Sequence, residues 1–426
     1  MTAALEHVVV VGASLAGLRA CESLRQEGFD GRLTLVGGEA ELPYDRPPLS
    51  KAFLAGEWEI DRIRLRKPDA IESLRLDMRL GVAAASLDTV ARQVALADGT
   101  AIGYDGLVIA TGCTPRNLPS QPDVQGALSL RTLGDAVALR TLLTAERGRP
   151  TQLVVVGAGF IGLEVAATAR RLGCEVTVLE GGAVPLQRGL GDTMGSAIAA
   201  LHAAHGVDVR CGVTVESIEH DGTRVTGVRL ATAGAASGAS DRVIPADAVV
   251  VGVGVTPTVG WLEGSGLALQ DGIVCDAALR TGAPGVVAAG DCVRWPNSVF
   301  EGDDDAVMRV EHWTNASEQG AAAARSLLAA ARGDEPEPFA SVPFFWSDQY
   351  EHRVQFVGRA HGGDEVRVVA GEPSSGPFMA MYGWQGRLRG ALGLSMPKLV
   401  MRCRQMVADR LPFDEAVARA REIAAG

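Results

Sequence analysis

The stretch VGAGFIG, Val156 to Gly162, decides the fold, and it has a near copy in VGASLAG, Val11 to Gly17. Each follows an apolar run, Leu153 to Val156 in one case and Val8 to Val11 in the other. Such β-branched runs suit a strand buried on both faces of a parallel sheet. Each leads into helical spacing: Leu18, Cys21 and Leu24 after the first copy, Leu163, Ala166, Ala167 and Leu172 after the second. A further apolar run closes each unit, RLTLVG from Arg32 and CEVTVLE from Cys174. Two βαβ units are therefore expected in one chain.

Glycines at the first, third and sixth positions of such a turn have separate jobs. They allow a tight turn, close approach of a pyrophosphate, and close packing of helix on strand. The phosphates then meet unpaired N–H groups and the positive end of the helix dipole. In the second copy Gly157, Gly159 and Gly162 fill all three positions, with Phe160 and Ile161 completing the turn. Glu180 closes the next apolar run, where its carboxylate would accept a bond from a ribose hydroxyl and repel a 2′-phosphate. NADH is thus expected in preference to NADPH. The first copy keeps Gly12 and Gly17 with Ala16 beside them, but Ser14 takes the middle position. Its following run ends in Gly37 and Gly38, and the carboxylate comes only at Glu39. Alone, this copy also admits a minority reading as a degenerate structural repeat. Two neighbours favour a second nucleotide site: YDGLVIATG, which ends in Thr111 and Gly112, and GVVAAGDC, in which Asp291 follows a strand directly. Two such sites point to an electron relay between two cofactors.

At 426 residues the chain exceeds what one hydrophobic core usually serves, so two or three domains are expected. With 47% hydrophobic and 21% charged residues it reads as globular. The net charge of -11 argues against a nucleic-acid binder. Seven cysteines show no C-x-x-C or zinc-like spacing, which fits reduced thiols and a cytoplasmic location, with no metal site. The opening MTAALEHVVVVG carries no basic n-region, and its apolar stretch is too short for a signal peptide or membrane span.

Further motifs accompany the two turns: PPLSK (Pro47 to Lys51), VGAGFIGLE (Val156 to Glu164), VGVGVTP (Val251 to Pro257), AAGD (Ala288 to Asp291) and FFWSDQY (Phe344 to Tyr350). In this order the chain resembles the FAD-dependent, NADH-oxidising ferredoxin reductases of the putidaredoxin reductase type, which serve haem-thiolate monooxygenases and Rieske-type dioxygenases. VGAGFIGLE and AAGD are shared with the wider glutathione-reductase-like superfamily, whereas PPLSK and FWSDQY are more specific. The resemblance implies an α/β, glutathione-reductase-like fold with two Rossmann-type domains and a C-terminal α+β domain. The FAD domain would be split between residues 1–115 and 253–330, with an NAD domain at 116–252 and the C-terminal domain at 331–426. The proline-punctuated TPRNLPSQPD after Gly112 and the polar RGDEPEP after the Ala-rich helix suit such boundaries. ATAGAASGAS, Ala231 to Ser240, reads as a flexible hairpin tip, and HRVQFVG and EVRVVAG as antiparallel strands.

The same resemblance implies site residues. Lys51 matches a lysine beside the flavin ring, paired with the glutamate after the NAD fingerprint, here Glu164. A buried ammonium there would offset the negative charge that arrives with hydride. Trp313 would lie against the ring, and Asn315 with Glu318 reads as a capping box whose helix aims its N-terminus at the flavin. Asp291 matches an aspartate that binds ribityl hydroxyls, and Arg131 an arginine that contacts the cofactor. Arg46, Val82, Thr111 and Gly112 are further candidate FAD positions, and Arg188 and Gly254 further candidate cofactor positions. Flavin disulfide reductases of this fold carry a C-x4-C pair soon after the second strand, but ELPYDRPPLSKAFLAG contains no cysteine. Electrons would therefore leave directly for a 2Fe-2S ferredoxin, an acidic partner. Candidate docking residues are Arg62, Arg64, Arg66 and Lys67, and Arg402 and Arg404. An NADH oxidase or quinone-type reductase, an apoptosis-inducing-factor-like interaction protein and an NAD-sensing scaffold remain alternatives at this level.

Overall fold

The run HVVVV, His7–Val11, forms the central strand of a five-stranded parallel sheet in the computed structural model, which describes residues 5–119, 121–231, 242–303, 306–373 and 376–425. The order across this sheet is Val286–Ala288, Gly106–Ile109, His7–Val11, Arg32–Gly37, Leu76–Leu80. Val8 to Val11 are buried on both faces, as a continuous apolar run requires. The helix Leu15–Gln26 buries Leu18, Cys21 and Leu24. A Cβ on Gly320, in the helix Trp313–Arg332, would stand 2.3 Å from the Ala16 carbonyl oxygen, so a bare glycine lets the two helices cross in contact.

The second glycine turn sits in the same setting. Gln152–Val156 is central in a five-stranded parallel sheet ordered Asp208–Cys211, Glu175–Glu180, Gln152–Val156, Ala248–Val251, Ala127–Leu128. The C-terminal part is an antiparallel sheet ordered Phe344–Gln349, His352–Gly358, Arg387–Leu394, Phe378–Trp384, Glu365–Gly371, accompanied by the helices Pro397–Ala408 and Phe413–Ala425. HRVQFVG and EVRVVAG are thus antiparallel strands. The architecture is α/β with two Rossmann-type sheets and a C-terminal α+β portion.

Contacts divide the chain into two units: Met1–Asp45, Arg64–Thr114 and Thr256–Phe344 form one, and Arg46–Ile63, Pro115–Val255 and Phe345–Gly426 the other. The segment Arg46–Ile63 joins the second unit because Ser50 and Lys51 bond to Glu164 and the Arg140 guanidinium lies over the Phe53 ring. Among the described residues no helix is long and apolar enough to cross a membrane. All but the first residue of the stretch read as a hairpin tip, 232–240, lies outside the described residues.

One local expectation fails. Asn315 and Glu318 do not form a capping box, because the helix Trp313–Arg332 begins earlier, with His312 at its N-cap. Asn315 lies inside the first turn and donates through Nδ2 to the Val310 carbonyl at 3.0 Å, while Glu318 accepts from Ser341 Oγ at 2.6 Å. Both side chains are committed to loops on either side of the helix, Val310 before it and Ser341 after it, which the local N-x-x-E pattern does not register.

Candidate functional site

In the second unit the first and third glycines are demanded by the protein itself. Gly157 has φ +101°, and a Cβ on it would lie 2.4 Å from the Gly252 carbonyl oxygen. A Cβ on Gly162 would lie 2.3 Å from the Gly157 carbonyl oxygen, which is the close approach of helix to strand. Gly159 differs: the nearest protein atom to its Cβ position is 4.0 Å away. Packing leaves that space open, as a pyrophosphate cradle needs. The first-turn N–H groups of the helix Phe160–Arg171 have no acceptor within the helix and face this turn. The Phe160 ring packs on Phe345 with centroids 4.5 Å apart, Ile161 and Arg188 are exposed, and Gly254 has φ +109°.

Glu180 is half-buried at the end of its strand. Its two carboxylate oxygens accept from the backbone N–H groups of Ala158, at 2.8 Å, and Gly182, at 2.7 Å. These bonds fix the carboxylate against the glycine turn and still leave lone pairs for a ribose hydroxyl.

The first unit repeats the plan with less room to spare. Gly12 has φ +122°, and its Cβ would lie 2.0 Å from the Ala110 carbonyl oxygen; that of Gly17 would lie 1.8 Å from the Gly12 carbonyl oxygen. Ser14, the N-cap of the helix Leu15–Gln26, makes no cap hydrogen bond with its hydroxyl. Ala16 is buried beneath the turn, Gly38 is exposed, and Glu39 accepts from the Tyr44 hydroxyl. Thr111 Oγ1 donates to the Thr258 carbonyl at 2.8 Å, Gly112 has φ +65°, and Val82 donates its N–H to Gly37 at 3.1 Å. Asp291 follows the buried strand Val286–Ala288, half-buried. Trp313 is 36% exposed, and its Nε1 donates to Asp45 Oδ1 at 2.7 Å.

The second unit also holds a buried ion pair. Lys51 Nζ lies 2.7 Å from Glu164 Oε2, with the two side chains only 16% and 6% exposed. Glu164 also accepts from the hydroxyls of Ser50 and Ser347. A buried carboxylate with three donors is satisfied, whereas an unpartnered one would be costly. Nearby, Arg46 Nη1 donates to the Arg131 carbonyl at 2.5 Å, and the Arg131 N–H to Asp135. Sequence reasoning missed Ser50 and Ser347, although both fall in the quoted motifs PPLSK and FFWSDQY.

The seven cysteines are free, and all but Cys211 are buried. Burial pushes the Cys21 and Cys403 thiols up to about 12 and raises the others as well. None is thereby primed as a thiolate. Of the candidate docking cations, Arg66 pairs with Glu22 at 2.5 Å and Arg62 stacks over Trp58. Arg64 bridges to Tyr44 through its backbone, Lys67 and Arg402 are exposed, and Arg404 is half-buried.

A family model described as pyridine nucleotide-disulphide oxidoreductase matches residues 6–320, and one described as reductase C-terminal matches residues 344–424. Rhodocoxin reductase of Rhodococcus erythropolis is 38% identical over 407 residues, spanning 95% of this chain and 90% of the relative. Putidaredoxin reductase of Pseudomonas putida is 36% identical over 415 residues, spanning 96% and 93% respectively. The crystal structure of a covalent putidaredoxin reductase-putidaredoxin complex superimposes with a TM-score of 0.88 at 33% identity, covering 100% of both chains.

Proposed function

This chain belongs to the pyridine nucleotide-disulphide oxidoreductase family, and from that premise we propose how its residues divide the work of a ferredoxin reductase. The protein takes hydride from NADH onto FAD and passes single electrons to a 2Fe-2S ferredoxin that serves an oxygenase. One feature of the chain carries the reading: two parallel sheets each bear the same glycine turn on their central strand, while the cysteines are free and all but one are buried. The family's disulphide route is therefore replaced by direct delivery.

FAD, when bound, supplies acceptance of two electrons together and their release one at a time. The residues fit such a nucleotide. The turn from Gly12 to Gly17, with Ser14 and Ala16, holds its pyrophosphate. Gly38, Glu39, Val82, Thr111, Gly112, Asp291 and Trp313 are assigned to the rest of it. Gly157, Gly159, Phe160, Ile161 and Gly162 receive the pyrophosphate of NADH, Glu180 its ribose, and Arg188 and Gly254 flank it. Lys51, held by Glu164, presents the positive charge that offsets the arriving hydride. Residues 1–115 and 253–330 are assigned to the FAD-binding domain, although Arg46–Ile63 within that range groups with the second unit, 116–252 to the NAD-binding domain and 331–426 to the C-terminal domain; the reductase C-terminal match over residues 344–424 supports the last of these. The work is assigned to the cytoplasm, where free cysteines are the rule.

Coenzyme choice tests the assignment. Glu180→Gln keeps an oxygen for one of the two backbone N–H groups but removes the charge. It is expected to shift the NADH-to-NADPH ratio of dissociation constants by roughly 1.5–3 kcal/mol, or about 10- to 150-fold. An unaltered ratio in equilibrium titrations would remove Glu180 from the ribose contact.

A further inference from the structure

Ser347 and Gln349 stand two residues apart on the strand Phe344–Gln349, so their side chains leave the same face, and both are fully buried. From Glu164 the contacts run in one line. Ser347 Oγ is 2.7 Å from Glu164 Oε1, and Gln349 Nε2 is 3.0 Å from Ser347 Oγ. His202 Nε2 is 2.9 Å from Gln349 Oε1, and the Tyr350 hydroxyl is 3.1 Å from His202 Nδ1. His202, on the helix Gln187–Ala204, is also fully buried.

The ion pair at one end fixes the direction of every link. An ionised Glu164 can only accept, so Ser347 spends its single hydroxyl proton on it and must accept from the amide nitrogen of Gln349. The amide oxygen then faces His202, which must carry its proton on Nε2. Nδ1 is left as the acceptor for Tyr350. Burial supports this arrangement independently: it holds His202 neutral, with its pKa lowered to about 4, and raises that of the Tyr350 hydroxyl, which therefore keeps its proton. Tyr350 itself sits at φ +56° in the tight turn between Phe344–Gln349 and His352–Gly358, an uncommon conformation for a bulky residue. Its ring stacks on His205 at 3.6 Å, and His205 in turn contacts Glu351 at 3.3 Å. The strained turn thus places a donor at the far end of the line.

We propose that Tyr350, His202, Gln349 and Ser347 form a one-way chain of hydrogen-bond donors that orients the Glu164 carboxylate toward Lys51, and that these four are positioning residues for the reductive step. The inference rests on the role assigned above to Lys51 and Glu164. Aligned bonds of this kind reinforce one another in a low-dielectric interior, so a loss at one link is felt at the next.

Nitrogen-15 histidine NMR on the full-length protein reads the direction itself. His202 is expected as the Nε2–H tautomer from about pH 6 to 8. In Glu164→Gln, where an amide can also donate, both tautomers are expected. Ser347→Ala is expected to slow flavin reduction by NADH about tenfold at unchanged NADH affinity, with Ser347→Thr recovering most of the loss. A wild-type His202 protonated on Nδ1, a tautomer indifferent to Glu164→Gln, or a wild-type reduction rate in Ser347→Ala would each overturn the proposal. Should Ser347→Ala fail to fold, the wild-type tautomer decides. If NADH fails to reduce the flavin even in wild type, the functional reading falls, while the tautomer still judges the chain of donors.

Discussion

Lys51→Met is expected to lose about 3–5 kcal/mol of folding stability, because it leaves Glu164 buried without its counter-charge. It is also expected to slow flavin reduction by NADH about 100-fold, since a buried ammonium facing developing negative charge is worth on the order of 3 kcal/mol. The double variant Lys51→Met with Glu164→Gln separates the two losses. With neither charge buried, most of the stability should return, while the rate stays low. Thermal unfolding and anaerobic stopped-flow absorbance measure the two quantities on the same samples. Recovery of both together would make the pair a structural strut with no part in the reaction.

The glycine turns should respond in a graded way set by the space at each position. Gly17→Val places side-chain atoms where even a Cβ would be 1.8 Å from a carbonyl oxygen, so the protein is expected to lose FAD altogether and purify colourless or insoluble. Gly162→Val, with a Cβ at 2.3 Å from the Gly157 oxygen, should damage the other unit and abolish NADH binding. Gly159→Ala is the informative control. Its Cβ meets nothing closer than 4.0 Å, so folding and flavin content should be unchanged while NADH affinity falls about tenfold, the added methyl standing where a phosphate belongs. Flavin absorbance after gel filtration and NADH titration distinguish the three. A Gly159→Ala protein with full affinity would move the nucleotide away from this turn.

Much of this was legible in the chain because the signals were local and periodic. Val8 to Val11 and Leu153 to Val156, each followed by a glycine turn, read as strands buried on both faces of a parallel sheet, and both occupy the middle of a five-stranded sheet. HRVQFVG and EVRVVAG carried enough alternation to mark antiparallel strands. The misread start of the helix Trp313–Arg332 came from a local pattern overruled by partners elsewhere in the fold, Val310 for Asn315 and Ser341 for Glu318. Glu180 was placed at its strand end, but its bonds to Ala158 and Gly182 depend on the turn closing over it. The partners of Glu164 were least legible. Ser50, Ser347 with Gln349, and His202 come from three separate stretches of sequence that only the folded chain brings to one carboxylate.

Two electrons enter this protein as hydride from NADH and leave singly, with no thiol between. An anaerobic titration of the holoprotein with NADH and an oxidised 2Fe-2S ferredoxin counts both reactants by absorbance. About two ferredoxins are expected to be reduced per NADH consumed, since hydride carries two electrons and each cluster accepts one, with the count unchanged after thiol alkylation. NADH-reduced protein that fails to reduce any ferredoxin, or transfer abolished by alkylation, would contradict it.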